Sequence, residues 1–565
     1  MNLAEHAEAM AAGQHPGFDP FAWDGIQQSI DAIWERRIKV IINGGALNPK
    51  GLAEETQKLI HSRGYGLKVA YVAGDNLVDE VRESLSKTGQ LPAHFDSNNS
   101  QVGKQAHTDD LLDTKNRPVV SANAYLGARA IVKGLEQGAD IIICGRVADA
   151  SPVIGAAWYW YGWKDTDYDA LAGALIAGHL IECSAYVTGS NFSGFTEFDL
   201  DVFVDMPFGI AEVDRDGTCV ITKHENTRGI VNVDVVRCDV KAYTRNIKIE
   251  EVGKDRVRLS GVTGAPPPPT TKLAIFYRGG FESQLLVNAT GYGTDKKWEL
   301  FEKQMRHGLA KAGVVDKFDF LEFQVLGTPA VNPSSQFKST TYCRVFAQAG
   351  SAELLMMIPK TLSEYTMQHF SGFHLAMDVR TAMPRPYLAF YPAIYPQASL
   401  EESINLLHPT GSSVASSTPA GHPPKHEPIE PRQSYDAVSP VDLASFGPTR
   451  PIRLGDIALA RSGDKGANIN LGIFVRSAAQ WEWFRAFMSR ERMRGLLGED
   501  DDVGGFYIER IEFPNLWAVH FVVYGILGRG VSSSTKLDCL GKGFADYIRD
   551  KVVEVPERVL GGVRL

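Results

Sequence analysis

The residue types best suited to moving protons or holding anions gather in a few short stretches of this chain. Arg146 and Asp149 follow a short apolar run, and His179, Glu182 and Cys183 stand at i, i+3 and i+4 on an otherwise apolar helical pattern, so they share one face. Burial and a carboxylate neighbour can tune such a histidine towards neutral pH, which makes His179, Glu182 and Asp149 candidate acid–base groups. A His–Glu hydrogen bond that only packs the helix would leave the same pattern. Cys183 reads as a small core residue more readily than as a nucleophile. A zinc site would need a further ligand that the pattern does not offer. Arg146 follows Gly145 at a strand end and cannot go deep without a partner. It either clamps a carboxylate or phosphate or pairs with Asp149.

Further along, Arg461-Ser462-Gly463-Asp464-Lys465-Gly466 puts two cations, an acid and two glycines into one predicted turn. Backbone amides and Lys465 could gather there around an anion, or the turn could be a charged surface feature. Gly44-Gly45 lies between a strand and a helix, where backbone amides can approach an anion, although it is neither GxGxxG nor a Walker loop. A tight strand-to-helix turn is the plain alternative. Asn43, Asn48 and Asn123 fall at or near strand ends and are the polar side chains expected around a pocket. Trp158, Tyr159, Trp160, Tyr161 and Trp163 either line an apolar pocket or pack a core or subunit interface. A hydrolase using Ser121 or Ser151 lacks the GxSxG elbow around either serine.

The elements that must position these residues alternate between strand and helix. Asp19-Pro20 reads as an N-cap and first helical residue, followed by Ile26, Ile30 and Ile33 at helical spacing. Strands are predicted over Lys39 to Ile42, Leu67 to Val72, Val119 to Ala122 and Asp140 to Cys144, with helices near Leu52 to Ser62 and Tyr125 to Gln137. Repeated βα units imply an α/β fold with a doubly wound parallel sheet over residues 1–195, with the probable site at the strands' carboxyl ends. Alternating strands and tight turns, with Asp216-Gly217 as one of them, follow in a mixed α+β region over 196–408. Pro266 to Pro269 reads as a rigid polyproline strap. Residues 409–450, rich in Pro and Ser, are predicted to be a flexible linker. Residues 451–565 form a small α+β unit, with strands at Asn470 to Val475 and Trp517 to Tyr524 and helices near Trp481 to Leu497 and Gly541 to Lys551.

GRVADAS at Gly145 to Ser151, GHLIEC at Gly178 to Cys183, the VTG turn at Val187 to Gly189 and INGGALNP at Ile42 to Pro49 together resemble the acyclic terpene utilisation (AtuA) family. RSGDKGANINLGIF at Arg461 to Phe474 resembles the small C-terminal domain often fused to it. The resemblance implies breakdown of a branched or terpenoid-like acyl-CoA or carboxylate, with a C–C lyase or hydratase as the reaction class and a homo-oligomer as the assembly. It also implies substrate contacts at Arg146 and at the Arg461–Lys465 signature. A non-catalytic ligand-binding or assembly subunit is the alternative. Family members generally begin with a glycine-rich strand and an acidic segment ahead of the part corresponding to Phe18. Neither is visible here, so the chain is expected to start late, without a usual first strand.

Composition excludes several classes. At 565 residues the chain is too long for one core, and its 44% hydrophobic share is that of a globular protein. A net charge of −9 argues against a general nucleic-acid binder. Six cysteines, at 144, 183, 219, 238, 343 and 539, have no CxxC or metal-ligand spacing, as expected of reduced thiols. No long apolar run and no basic leader is present, so the reading is cytoplasmic, without membrane span, with a small-molecule substrate and without a cofactor.

Overall fold

In the computed structural model of the chain, residues 2–105, 107–232, 242–244, 246–411, 413–429, 435–501 and 505–560 are described. Cys238 lies outside them. After α1 (Asn2–Ala11), α2 (Pro20–Arg36) starts as its sequence predicts: Asp19 accepts the N–H groups of Phe21 (2.8 Å) and Ala22 (3.1 Å), with Pro20 at the first helical position. Next come β1 (Val40–Ile42), α3 (Pro49–Arg63), β2 (Val69–Ala73), α4 (Val78–Thr88), β3 (Val119–Ala124), α5 (Arg129–Glu136) and β4 (Ile141–Ile143). β4 lies between β1 and β2 and runs parallel to both. Its alternation splits it between two faces. Ile141 and Ile143 pack with Ile30, Leu52 and Ile60 of α2 and α3, while Ile142 packs with Val81 of α4 and Ile131 of α5. The α/β architecture is therefore the expected one, a short parallel sheet covered on both sides.

One strand departs from the expected pairing. β3 does not join the parallel sheet but pairs antiparallel with a long strand from the middle of the chain, Ser121 facing Phe276 and Ala124 facing Leu273. A short apolar run specifies burial and not its ladder partner, so its sequence could not assign the sheet. The helix expected from Tyr125 starts only at Arg129, because Leu126 first bridges Val147. α6 (Ser151–Tyr161) and α7 (Tyr168–Ile181) then form an antiparallel hairpin. It closes tightly at its open end, where a Cβ on Gly178 would stand 2.7 Å from Ala150 Cβ. The helix ends at Ile181, so Glu182 is its C-cap and Cys183 lies beyond it.

β5 (Ile210–Val213) and β6 (Cys219–Thr222) flank the Asp216-Gly217 turn, β7 (Ala242–Tyr243) is a short bridge, and β8 (Lys248–Gly253) and β9 (Arg256–Ser260) complete a sheet ordered β5-β6-β9-β8. β10 (Thr263–Gly264) pairs with β7. β11 (Thr270–Thr290) is the spine of the middle region. Between it and the connection onward lie α8 (Thr294–Lys311), β12 (Phe320–Leu326), β13 (Thr340–Ala349), α9 (Ala352–Glu364), β14 (Phe373–His374) and β15 (Arg385–Pro396). The first half of β11 pairs with β3 and β15, its second half with β13. β16 (Ser403–Leu407) returns to the N-terminal sheet beside β2, and β17 (Val414–Pro419), inside the stretch expected to be a linker, pairs with β16.

The C-terminal unit comprises β18 (Thr449–Arg453), β19 (Ala458–Lys465), β20 (Asn468–Val475), α10 (Ala478–Phe487), α11 (Arg490–Leu497), β21 (Ile508–Phe513), β22 (Ala518–Val523), α12 (Phe544–Arg549) and β23 (Val552–Pro556). Its sheet, ordered β19-β20-β22-β21, packs one face on Trp483, Phe484 and Ile548 through Leu471, Val519 and Phe521. The helix expected over Trp481 to Leu497 is broken, because Ser489 caps α11 by accepting the Arg492 N–H (3.0 Å). The expected turn over Arg461 to Gly466 is also corrected. Arg461 to Lys465 end β19, and only Gly466-Ala467 turn the hairpin, with Gly466 at φ 68°.

A partly buried ion network ties this unit to the rest. The Arg529 side chain, 5% exposed, reaches Asp110 (3.2 Å) and Asp319 (3.8 Å), and Arg117 pairs with the same two carboxylates at 2.7 and 3.4 Å. Removing one member leaves a partly enclosed charge uncompensated, at a cost below the roughly 3–5 kcal/mol of a fully buried pair. Arg529→Met should lower the thermal midpoint and speed proteolytic cleavage between the C-terminal unit and the rest. An unchanged midpoint and digestion pattern would mean that the network contributes nothing net to docking.

Candidate functional site

A cavity of about 1560 Å³ opens where the N-terminal unit, the middle sheet and the C-terminal sheet meet. Each contributes by simple periodicity. Along α6, Ser151, Ile154 and Trp158 line it, and along α7, Leu171, Leu175 and His179 do so, at the spacing of one helical face. Because the two helices are antiparallel and close at Ala150 and Gly178, Asp149 and His179 lie at one end, Trp158 and Leu171 lie at the other beside the Arg129–Asp165 ion pair (3.3 Å), and Ile154 and Leu175 make the apolar stretch between. β11 and β15 add Lys272, Phe390 and Ile394, register partners or neighbours on one sheet face. The C-terminal sheet turns the face opposite its core to the cavity through Asn470, Glu509, His520 and Val522, with the hairpin tip at Lys465 and Asn468 beside them.

Five of the residues singled out in the sequence form one cluster. Asp149 pairs with the Arg146 guanidinium, which also donates to the Val147 carbonyl and lies 4.4 Å over the Tyr125 ring. Burial pushes the Asp149 carboxyl up, but Arg146, His179 and a hydrogen bond shared with Glu182 outweigh it and hold the group below the usual carboxylate range. Asp149 is thus an ionised neighbour for His179, and both line the cavity. Cys183 donates its S–H to Glu182 at 3.8 Å.

The other strand-end residues serve the fold around them. A Cβ on Gly45 would stand 2.6 Å from the Cys144 carbonyl oxygen and from Pro49, and one on Gly44 2.2 Å from Ala22 Cβ, so this is a tight packing turn. Asn48 caps α3 by accepting the Gly51 N–H (2.9 Å) and donates to the Pro16 carbonyl. Asn123 donates to the buried Asp75 (2.9 Å), which also accepts the Arg146 N–H (3.0 Å); Gly145 packs against Asp75. Asn43, Gly44, Gly45, Asn48, Asn123, Gly145 and Arg146 do not line the cavity. Of the C-terminal signature, Lys465 lines it, Arg461 lies 4.2 Å over the Tyr186 ring of the N-terminal unit, and Asp464 sits on the strand away from it. The aromatic cluster divides: Trp158 lines the cavity, Trp163 is buried, and Trp160 is 76% exposed. Among the described residues, no group of three or more His, Cys, Asp or Glu is placed to hold a metal ion, and no helix is long and apolar enough to cross a membrane.

Sequence reasoning missed Lys272, Glu402, Glu509 and His520, which come from distant segments without motif character. Glu402 accepts the Ala130 N–H (3.2 Å) at the start of α5 while lining the cavity. Burial pushes its carboxyl up to about 7, against that N–H and the nearby Arg129. The folded chain therefore holds this proton more tightly than the unfolded one. The resulting stabilisation is complete below the ordinary value of 4.5 and is lost as pH rises through about 7. Thermal midpoints of the wild type should fall across this window relative to Glu402→Gln; parallel profiles would sink the assignment.

No curated protein and no solved structure matches the chain. Residues 1–406 match the family described as acyclic terpene utilisation family protein AtuA, and residues 452–554 match the AtuA ferredoxin-like domain. The second match coincides with the unit whose sheet walls the cavity. The chain therefore belongs to the AtuA family, a family of acyclic terpene utilisation, and carries its ferredoxin-like domain at the C-terminal end.

Proposed function

We propose that this protein is a cytoplasmic catabolic enzyme acting on a branched or terpenoid-like carboxylate or acyl-CoA thioester, by C–C cleavage or by addition or elimination of water. The observation that carries this reading is the α6–α7 slot, lined by the apolar side chains of Ile154, Trp158, Leu171 and Leu175 and ending at Asp149 and His179. A branched alkyl chain would lie along Ile154, Leu171 and Leu175, gaining from burial of its apolar surface. Its functionalised end would then reach His179. There the imidazole would take a hydroxyl or α-carbon proton and return it later, with ionised Asp149 stabilising the imidazolium and Arg146 holding Asp149 in place. The cavity volume of 1560 Å³ exceeds the roughly 300–1,000 Å³ of ordinary small-molecule pockets, which suits a substrate as large as a thioester of coenzyme A.

A second reading, a non-catalytic ligand-binding or assembly subunit, draws on the exposed apolar side chains Phe195, Leu200, Val204 and Phe208, 47–71% accessible in one short segment. A homo-oligomer would cover them. The two readings separate in one experiment. The purified chain is incubated with a panel of branched and 3-hydroxy-3-methyl acyl-CoA thioesters and the products are identified by mass spectrometry. Under the enzyme reading a product forms, and Asp149→Asn and His179→Gln each lower kcat by about 10²–10⁴. Turnover that persists in both variants would remove the acid–base assignment, and no turnover of any thioester would favour the subunit.

A further inference from the structure

Lys272 carries the least explained charge along the cavity wall. It lies on β11, half-buried, and its Nζ stands 5.6 Å from the Phe95 ring, 5.3 Å from the Tyr125 ring and 5.6 Å from the Phe390 ring. Among the described residues no carboxylate lies within ion-pair distance of it. The acidic groups lining the same cavity have other partners: Asp96 accepts the Asn468 amide (3.3 Å), Asp109 pairs with Lys104, Asp149 with Arg146 and Asp165 with Arg129, while Glu402 accepts the Ala130 N–H (3.2 Å) and Glu509 the Tyr524 hydroxyl (3.1 Å). Aromatic faces attract a cation but leave its net charge in place. An ammonium taken partly out of water in this way favours an incoming anion.

Position adds to the argument. The Tyr125 ring that borders Lys272 is the ring over which Arg146 lies at 4.4 Å, and Arg146 pairs with Asp149. Lys272 is therefore one aromatic ring away from the Asp149–His179 cluster, which itself ends the apolar α6–α7 slot. The tip of the C-terminal hairpin approaches from the other side: a Cβ on Gly466 would stand 3.7 Å from the Phe390 ring, next to Lys465 on the cavity wall. Apolar slot, proton-transfer groups and cation thus follow one another along one cavity.

We propose that Lys272 is the anchor for the anionic head group of the ligand, a carboxylate or a phosphate, seated between the aromatic box and the hairpin tip. This rests on reading the cavity as the ligand site, and it names the ligand class: an amphipathic anion with a branched apolar tail. The two sources of the anion, a free acid and the phosphates of coenzyme A, present the same chemistry to Lys272.

The test is calorimetric titration of the full-length chain and its Lys272→Met and Lys272→Arg variants with three probes: 3,7-dimethyloct-6-enoate, its neutral methyl ester, and coenzyme A. Lys272→Met should weaken binding of one of the two anions by about tenfold or more, as loss of a charge-assisted pair implies, with the ester unaffected and Lys272→Arg close to wild type. Whichever anion is weakened identifies the source. The proposal is overturned if Lys272→Met binds both anions as the wild type does, if the ester is weakened equally, which marks a packing role, or if the wild type binds neither anion at millimolar concentration. Binding that depends on Lys272 without turnover of any thioester would remove the enzyme reading and leave this one standing. Turnover and binding unaltered in Lys272→Met would do the reverse.

Discussion

The structure depends on a partly buried cluster of charges in which Arg117 and Arg529 share Asp110 and Asp319. Asp110 and Arg117 belong to the segment before β3, Asp319 to the middle region and Arg529 to the C-terminal unit. Two cations balanced by two carboxylates can lie together in a low-dielectric setting only if none is left unpaired, so the network tolerates little displacement of any contributor. A geometric consequence follows. The polar face of the C-terminal sheet, with Glu509 and His520 almost wholly buried, is held against the N-terminal unit, and the space left between them is the cavity.

Within the N-terminal unit, Asp75 does a similar task on a smaller scale. Its carboxylate accepts the amide of Asn123 from β3 and the backbone N–H of Arg146 after β4. Two sheets and one turn are thereby registered to each other. Burial raises this carboxyl, opposed by those two donors, as expected of a group enclosed at a junction. The turn it secures sets Arg146 against Tyr125 and Asp149 and so places Asp149 at the end of the α6–α7 slot where His179 lies. Membership of the AtuA family places the chain in acyclic terpene utilisation, and the slot lined by Ile154, Leu171 and Leu175 ends at Asp149 and His179.

Local physics made parts of this legible in advance. Asp19-Pro20 is a cap, Asp216-Gly217 is a hairpin turn, and the βα alternation is an α/β sheet covered on both faces, because each is decided by residues close in sequence. The approach of Asp149 to His179 was readable in part, since both lie at the ends of elements whose order was plain. The Arg146 alternatives were not, because whether a guanidinium meets Asp149 or a ligand depends on which rings and carbonyls surround it.

By itself, then, the sequence determined the family, through its motifs, and the α/β class, the Asp19-Pro20 cap and the Asp216-Gly217 turn, through periodicity and short-range hydrogen bonding, together with the segment that carries Asp149 and His179. Tertiary structure alone decided that β3 leaves the parallel sheet for β11, that β17 forms a strand within the Pro/Ser-rich stretch, and that Lys272, Glu402, Glu509 and His520 line one cavity. These residues stand more than ninety positions from Asp149 and His179, in segments with no spacing to betray them. Long-range strand pairing and buried ion networks are chosen by global packing, since a strand's own pattern encodes which face is buried and not which neighbour it meets.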